Sequence, residues 1–418
     1  MRLIFMFEFN THYYIENMMI KVMKFKLLIL FNLLFLLSCI EEYKIPNSMK
    51  NSYKSYLVVE GRILSGDESI IYLSQTKPLN TVERPEAVLN AKITIIGQNG
   101  YESSLATFDN KNERYTIPTH ELELNTLYAI KIEYDGEVYQ SDFQSIQTSK
   151  EIDEINYKAD ENEMTIYISS HGTKDESNFY MWTFEEDWEF HTEIDLTEPI
   201  YGYWMYNKKF YPDIVIGGEN PYYYCWGHNN SSTIHIYSSL NLEQNAALEY
   251  RLHQIPLDDV RVSYIYSILV KQSSLDEKAY EYFRRQKLYS EESGGLFTPM
   301  PSELMGNIRC ISNPLIKVYG YVIASQTVSK RIFIYESDLT QKTLYNNCST
   351  AFGIDETENE SIWKSNWEYE TRYGAVIWNS TEGVVEPTSI LYSRTCVDCR
   401  AFPNSTKKRP DFWPNNHE

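Results

Sequence analysis

From Tyr56 onward, apolar and polar positions alternate in short runs separated by turn residues. Residues 56–61, 69–73, 91–96, 115–117 and 127–134 each carry this period-two pattern, which predicts half-buried strands. The third run ends in Gln98-Asn99-Gly100, and Asp135-Gly136 follows the fifth as a hairpin signal. A second series opens near Ile152 and continues through 164–169 and 179–184, then returns at 317–324 and 331–335. One segment has a helical period instead. Ser274 with Glu277 reads as a capping box, Leu275, Ala279, Tyr282 and Phe283 form an apolar stripe, and Gly294-Gly295 closes the segment. The pattern therefore predicts a mainly β protein. It would hold two immunoglobulin-like or fibronectin-like β-sandwich domains, at 55–150 and 151–418, the second with a helical insertion near 274–290.

The first forty residues follow a different logic. Lys21, Lys24 and Lys26 precede an apolar run over 27–37, broken only by Asn32. Eleven residues of helix span about 16 Å, roughly half of a hydrocarbon core, which is too short to cross a bilayer. A basic flank, a short apolar centre and a small residue describe a secretory signal. Leu36-Leu37-Ser38-Cys39 matches the bacterial lipobox, so residues 1–38 read as a lipoprotein signal peptide and Cys39 as the lipidated residue. Residues 1–17 do not fit an ordinary basic leader, which makes Met18, Met19 and Met23 candidate starts. Ile40-Glu41-Glu42 behind the cysteine resembles the surface-export signal of Bacteroidota lipoproteins, and the polar stretch 39–54 reads as a tether. The expected location is the outer membrane, lipid-anchored and cell-surface exposed.

Composition narrows the classes. The 418 residues carry 38 Lys+Arg against 58 Asp+Glu, a net charge of −20 that disfavours binding to nucleic acid. Residues 1–38 hold four basic and two acidic side chains, so the body without them stands at −22. Such a body is repelled by an anionic membrane surface and needs the lipid to hold it there.

Candidate chemistry is sparse. None of the eight histidines has zinc-protease spacing, and no nucleophile elbow, phosphate loop or dinucleotide fingerprint is present. No catalytic residue, metal or cofactor is expected. Cys396 and Cys399 have a metal-like spacing without a second pair, so structural disulfides are the favoured reading. The candidates are Cys396–Cys399 and Cys310–Cys348, with Cys225 expected to stay free. The acidic run Glu185-Glu186-Asp187 reads as a solvated strand end or as a calcium or carboxylate-pair site. Between Tyr201 and Trp226 lies a dense aromatic segment. Its Tyr203, Trp204, Tyr206, Tyr223, Tyr224 and Trp226 are candidates for stacking on a sugar or peptide or for docking on a receptor, the competing reading being rings that pack inward.

Several segments in order resemble the family called domain of unknown function 4249, found in Bacteroidota lipoproteins. They are Leu57-Val58-Val59-Glu60-Gly61, Asn178-Phe179-Tyr180-Met181-Trp182 and the stretch from Tyr264 to Gln272. Further along are Gly306-Asn307-Ile308, Val318-Tyr319-Gly320-Tyr321, Cys396-Val397-Asp398-Cys399-Arg400 and Pro410-Asp411-Phe412-Trp413. The resemblance spans essentially the whole chain after the lipobox. It implies an outer-membrane lipoprotein, often encoded beside a TonB-dependent receptor, with no known catalytic residues. The expectation is a non-enzymatic accessory of a TonB-dependent transporter. The alternative is a stand-alone surface module that binds glycan or peptide.

Overall fold

The structure, a computed structural model, describes residues 54–414 except 79–83, 121, 174–175, 194–201, 207–208, 212–222, 292–302, 340–349, 355–372, 382–383 and 397. Of 202–206, 209–211, 291, 350–354, 373–381 and 384–394 only the course of the main chain is described. The lipobox, Cys39 and the tether expected before Lys54 lie outside the described residues, as does Cys348. Among the described residues no helix is long and apolar enough to cross a membrane.

Residues Tyr56–Glu418 form one compact unit. It is mainly β. The strands run β1 (Leu57–Ser65), β2 (Glu68–Gln75), β3 (Lys92–Gly97), β4 (Thr107–Asp109), β5 (Arg114–Pro118), β6 (Leu127–Tyr134), β7 (Glu137–Ser141) and β8 (Gln144–Ser145). Then come β9 (Glu154–Ala159), β10 (Glu163–His171), β11 (Phe179–His191), β12 (Gly202–Tyr206), β13 (Lys209–Tyr211), β14 (Tyr224–Asn230), β15 (His235–Ser238), β16 (Ala246–Pro256) and β17 (Ile265–Leu275). After helix α1 (Glu277–Glu291) follow β18 (Ile308–Cys310), β19 (Val318–Tyr335), β20 (Thr350–Ile354), β21 (Tyr373–Thr381), β22 (Val384–Ser393) and β23 (Ser405–Thr406).

One ten-stranded sheet organises the molecule, in the order β23-β14-β11-β17-β19-β1-β2-β5-β4 with β15 added on β11. Two smaller sheets face it across separate cores. The sheet β18-β7-β6-β3 closes a first core in which Val59, Ile63, Ile71 and Ile117 meet Ile93, Ile95, Ile130 and Ile132. The sheet β16-β10-β9 closes a second, where Trp182, Phe184, Ile268 and Val270 meet Met164, Ile166, Ile168 and Ile255. Each of these strands keeps its apolar set on one face because the side-chain period is two.

Strand β19 belongs to both. Its first half pairs in parallel with β1, Leu57 opposite Val318 through Ser65 opposite Gln326. Its second half pairs antiparallel with β17, from Thr327 opposite Ser273 to Tyr335 opposite Ile265. The apolar runs at 317–324 and 331–335 are thus one strand of 18 residues, joined through a polar middle. Ile308, Cys310, Val318 and Val322 complete the first core from far along the chain.

The helix forms where its stripe predicts, but its cap differs. Asp276 accepts from the Ala279 N–H at 2.7 Å, whereas Ser274 still belongs to β17 and its N–H donates to Ser149 Oγ at 2.8 Å. Leu275 likewise belongs to the strand, and Ala279, Tyr280, Tyr282 and Phe283 pack on Phe179, Met181, Tyr321 and Ile323.

The cysteines correct the expected pairing. Cys225 is bonded to Cys399, Cα atoms 5.6 Å apart, where β14 meets the turn after residue 397. Cys399 lies in the second core, bonded to Cys225. Cys396 is itself disulfide-bonded, to a cysteine outside the described residues. Among the described residues Cys310 is the free thiol: it faces the first core from β18 and is 3% exposed.

Candidate functional site

The family-like segments come together in the folded chain, and their contacts are architectural. Gly320, at φ +100°, lies so close to β1 that a Cβ there would sit 2.0 Å from the Val59 carbonyl oxygen. A Cβ on Gly306 would sit 1.4 Å from the Gly320 oxygen. Asn307 then clamps Val322, donating to its carbonyl at 2.8 Å and accepting from its N–H at 2.9 Å. In the second core the buried Trp182 indole donates to Gln272 Oε1 at 2.7 Å, and the Gln272 amide donates to Ser170 Oγ and the Lys150 carbonyl. A buried amide with all its partners fixes the strand register rather than a ligand.

The acidic run on β11 is largely committed to ion pairs within the fold. Glu186 is 1% exposed and faces the second core. It accepts from Arg261 Nη1 at 2.9 Å, Asn229 Nδ2 at 2.9 Å and the Tyr266 hydroxyl at 3.0 Å, with His253 Nε2 at 3.3 Å. Burial by itself raises this carboxyl, but the His253 hydrogen bond, the Arg261 charge and the Asn229 amide outweigh it and hold it at about 2. Asp187, on the opposite face, takes His228 Nδ1 at 2.7 Å and Arg331 Nη1 at 2.9 Å. Glu185 pairs with Lys271, and Glu189 accepts from the Trp413 indole. Among the described residues no three His, Cys, Asp or Glu side chains converge as metal ligands do.

The aromatic segment divides. Trp226 is 8% exposed and packs against Ile265 and Trp413, so it is a core residue. Tyr223 and Tyr224 are half-buried, Tyr223 stacked on His191 with centroids 4.9 Å apart and Tyr224 edge-on to Tyr223 at 4.6 Å. The side chains of Tyr203, Trp204 and Tyr206 lie outside the described residues, although their strand β12 pairs with β13 and β21.

Two clefts flank α1. The first holds about 700 Å³. Its floor is the outward face of the large sheet. Odd-numbered residues 57–63 of β1 point into the first core, which turns Glu60 and Arg62 the other way, beside Tyr72, Ile70, Tyr321 and Ile323 of the neighbouring strands. Met181 and Thr183 of β11 continue the lining, residues 231–234 form the rim, and Tyr282, Phe283, Gln286, Lys287 and Ser290 of α1 form the wall. Tyr282 and Tyr321 stand 4.8 Å apart, and burial pushes the Tyr282 hydroxyl up to about 12. The second cleft, about 520 Å³, lies along Asp142, Gln144, Asp276, Arg285 and Asn307 and shares Tyr282 and Tyr321 with the first.

Arg62 is the unusual residue. Its Nη1 donates to Thr183 Oγ1 at 3.3 Å, and among the described residues no carboxylate lies within ion-pair reach of it. Burial pushes its guanidinium below the ordinary value, against the raising effect of Tyr72 and Glu60. Sequence reading passed over it because an Arg on the polar beat of an alternating strand reads as a solvent-facing position. The signal that it lies under a helix is tertiary.

An all-β body with a helix laid across one sheet, and signature residues spent on architecture, defines the class. Residues 40–331 match the family model described as Domain of unknown function (DUF4249), and the chain belongs to that family. The match ends inside β19, short of the segments around Cys396 and Trp413 that the resemblance had included. No curated protein matches the chain.

Proposed function

We propose that this chain is a lipid-anchored protein of the outer membrane, exposed at the cell surface, that acts without catalysis as the binding partner of a TonB-dependent transporter. The observation that carries this reading is the Leu36-Leu37-Ser38-Cys39 lipobox ahead of a mainly β body that carries two open clefts beside its helix. The ionisable residues around the acidic run also support a binding role, because Glu186 and Asp187 are neutralised by arginines rather than poised for proton transfer. The two cores are read as immunoglobulin-like or fibronectin-like sandwiches, with α1 an insertion in the second. Membership in the family and the acidic residues behind Cys39 give the location its support.

The test is co-purification of the tagged full chain from native outer membranes. Enrichment of an outer-membrane barrel is the expected outcome; a preparation that repeatedly carries no barrel counts against the partnership. A second reading, a stand-alone glycan- or peptide-binding module, is favoured by the aromatic lining of the first cleft.

A further inference from the structure

The floor of the first cleft lies mid-sheet. The Glu60–Arg62 stretch of β1 is paired with β2 on one edge and with β19 on the other, so its main chain has no open edge to offer an extended peptide. Recognition there must come from side chains. Those available are ring faces, hydroxyls and amides, the Arg62 guanidinium and the Lys287 ammonium, against one carboxylate, Glu60. Tyr72 is 42% exposed at one side, with Tyr282 half-buried in the helix wall opposite. Ser231, Thr233 and Gln286 bring polar groups to the rim and wall.

Arg62 has a planar fork of five donors, of which the described structure uses one, on Thr183. Arg62 is half-buried, so its spare donors remain open to the cleft, and a carboxylate matches its fork with two parallel bonds. Aromatic faces suit the C–H face of a pyranose, and the rim groups suit its hydroxyls.

We propose that the first cleft binds a carboxylated sugar, a uronic acid residue within a short glycan, with its carboxylate on Arg62 and its ring against Tyr72 and Tyr282. This rests on the reading of the chain as a binding protein and names the ligand class.

Isothermal titration of the purified full chain tests it, with trigalacturonate and triglucuronate, their methyl esters, and tripeptides with free and amidated C-termini as probes. The expected result is binding of at least one acidic trisaccharide, with its methyl ester weaker. Arg62→Met should weaken binding roughly 10- to 100-fold, the effect of losing a charge-assisted hydrogen bond. Arg62→Lys should recover part of it. Should Arg62→Met fail to fold, Tyr72→Ala on the exposed rim keeps the test open, with an expected loss of roughly 2- to 10-fold. Equal affinity for acid and ester, an unchanged Arg62→Met, a preference for the free-carboxyl peptide, or no binding of either acid overturns the proposal. Sugar binding by a chain that retrieves no barrel would leave this site standing and remove the transporter partnership. A barrel retrieved by a chain blind to both acids would do the reverse.

Discussion

Glu186 shows what an isolated residue in the sequence conceals. Three acidic side chains in a row read as a strand end in water, yet the strand runs on to His191 and buries Glu186 and Asp187. Nothing local reveals this, because the neutralising partners are Arg261 and His253 on one face and His228 and Arg331 on the other. The folded carboxyl of Glu186 sits at about 2, below the ordinary 4.5. A depressed carboxylate contributes its stabilisation in full above the unfolded value and loses it as pH falls from 4.5 toward 2, by about 3 kcal/mol. His235 acts in the same direction at higher pH, since burial and the Lys287 charge push it down to about 4 and its neutral form is the folded one. Its contribution is lost as pH falls from 6.5 toward 4. Urea unfolding across pH should therefore show stability falling in two stages on acidification. Glu186→Gln should lower stability at neutral pH by about 1–3 kcal/mol, because Arg261 keeps Asp259 but loses its buried carboxylate partner, and should shrink the lower stage, to which Asp187 also contributes. An unchanged acid limb in that variant would contradict the assignment.

At the scale of elements, much was legible. The runs at 56–61, 69–73, 91–96 and 127–134 correspond to β1, β2, β3 and β6, and Asp135-Gly136 makes the turn between β6 and β7 with positive φ at both residues. What period-two reading cannot supply is the partner of each strand. β19 was read as two runs because Gln326 to Lys330 carries mostly polar side chains, and only the pairing with β1 and then β17 makes it one. The cysteines failed for the same reason: Cys396 and Cys399 are neighbours in sequence, but Cys399 meets a residue 174 positions away. Peptide mapping without reductant should find Cys225 joined to Cys399 and Cys310 as a free thiol. If Cys39 carries the lipid, Cys348 is the cysteine left for Cys396. A Cys396–Cys399 peptide would contradict this. Gly306→Ala tests the clamp between β18 and β19. Its added methyl has no room against the Gly320 oxygen, so a loss of stability well beyond the ~1 kcal/mol of an average substitution is expected in thermal unfolding. A variant as stable as the parent would show that this approach does not matter.

The whole molecule explains why signature and candidate site are different residues. Trp182, Gln272, Gly306, Asn307 and Gly320 hold strands in register, whereas Arg62 and the helix wall that face the first cleft are ordinary surface-like positions in the sequence. The family resemblance was therefore readable from the chain, but the cleft required the fold. The aromatic segment, the most conspicuous compositional feature, contributes at least Trp226 to packing. The net charge of −20 remains an argument for a lipid tether, since the body alone would be repelled from an anionic membrane. The proposed partnership with a transporter rests on a lipid tether at Cys39. Intact-mass spectrometry of the chain extracted from purified outer membranes tests it most directly. The predicted mass is that of a chain beginning at Cys39, increased by the acyl groups on that residue, with residues 1–38 absent. A chain without added lipid, or one that retains residues before Cys39, would contradict it.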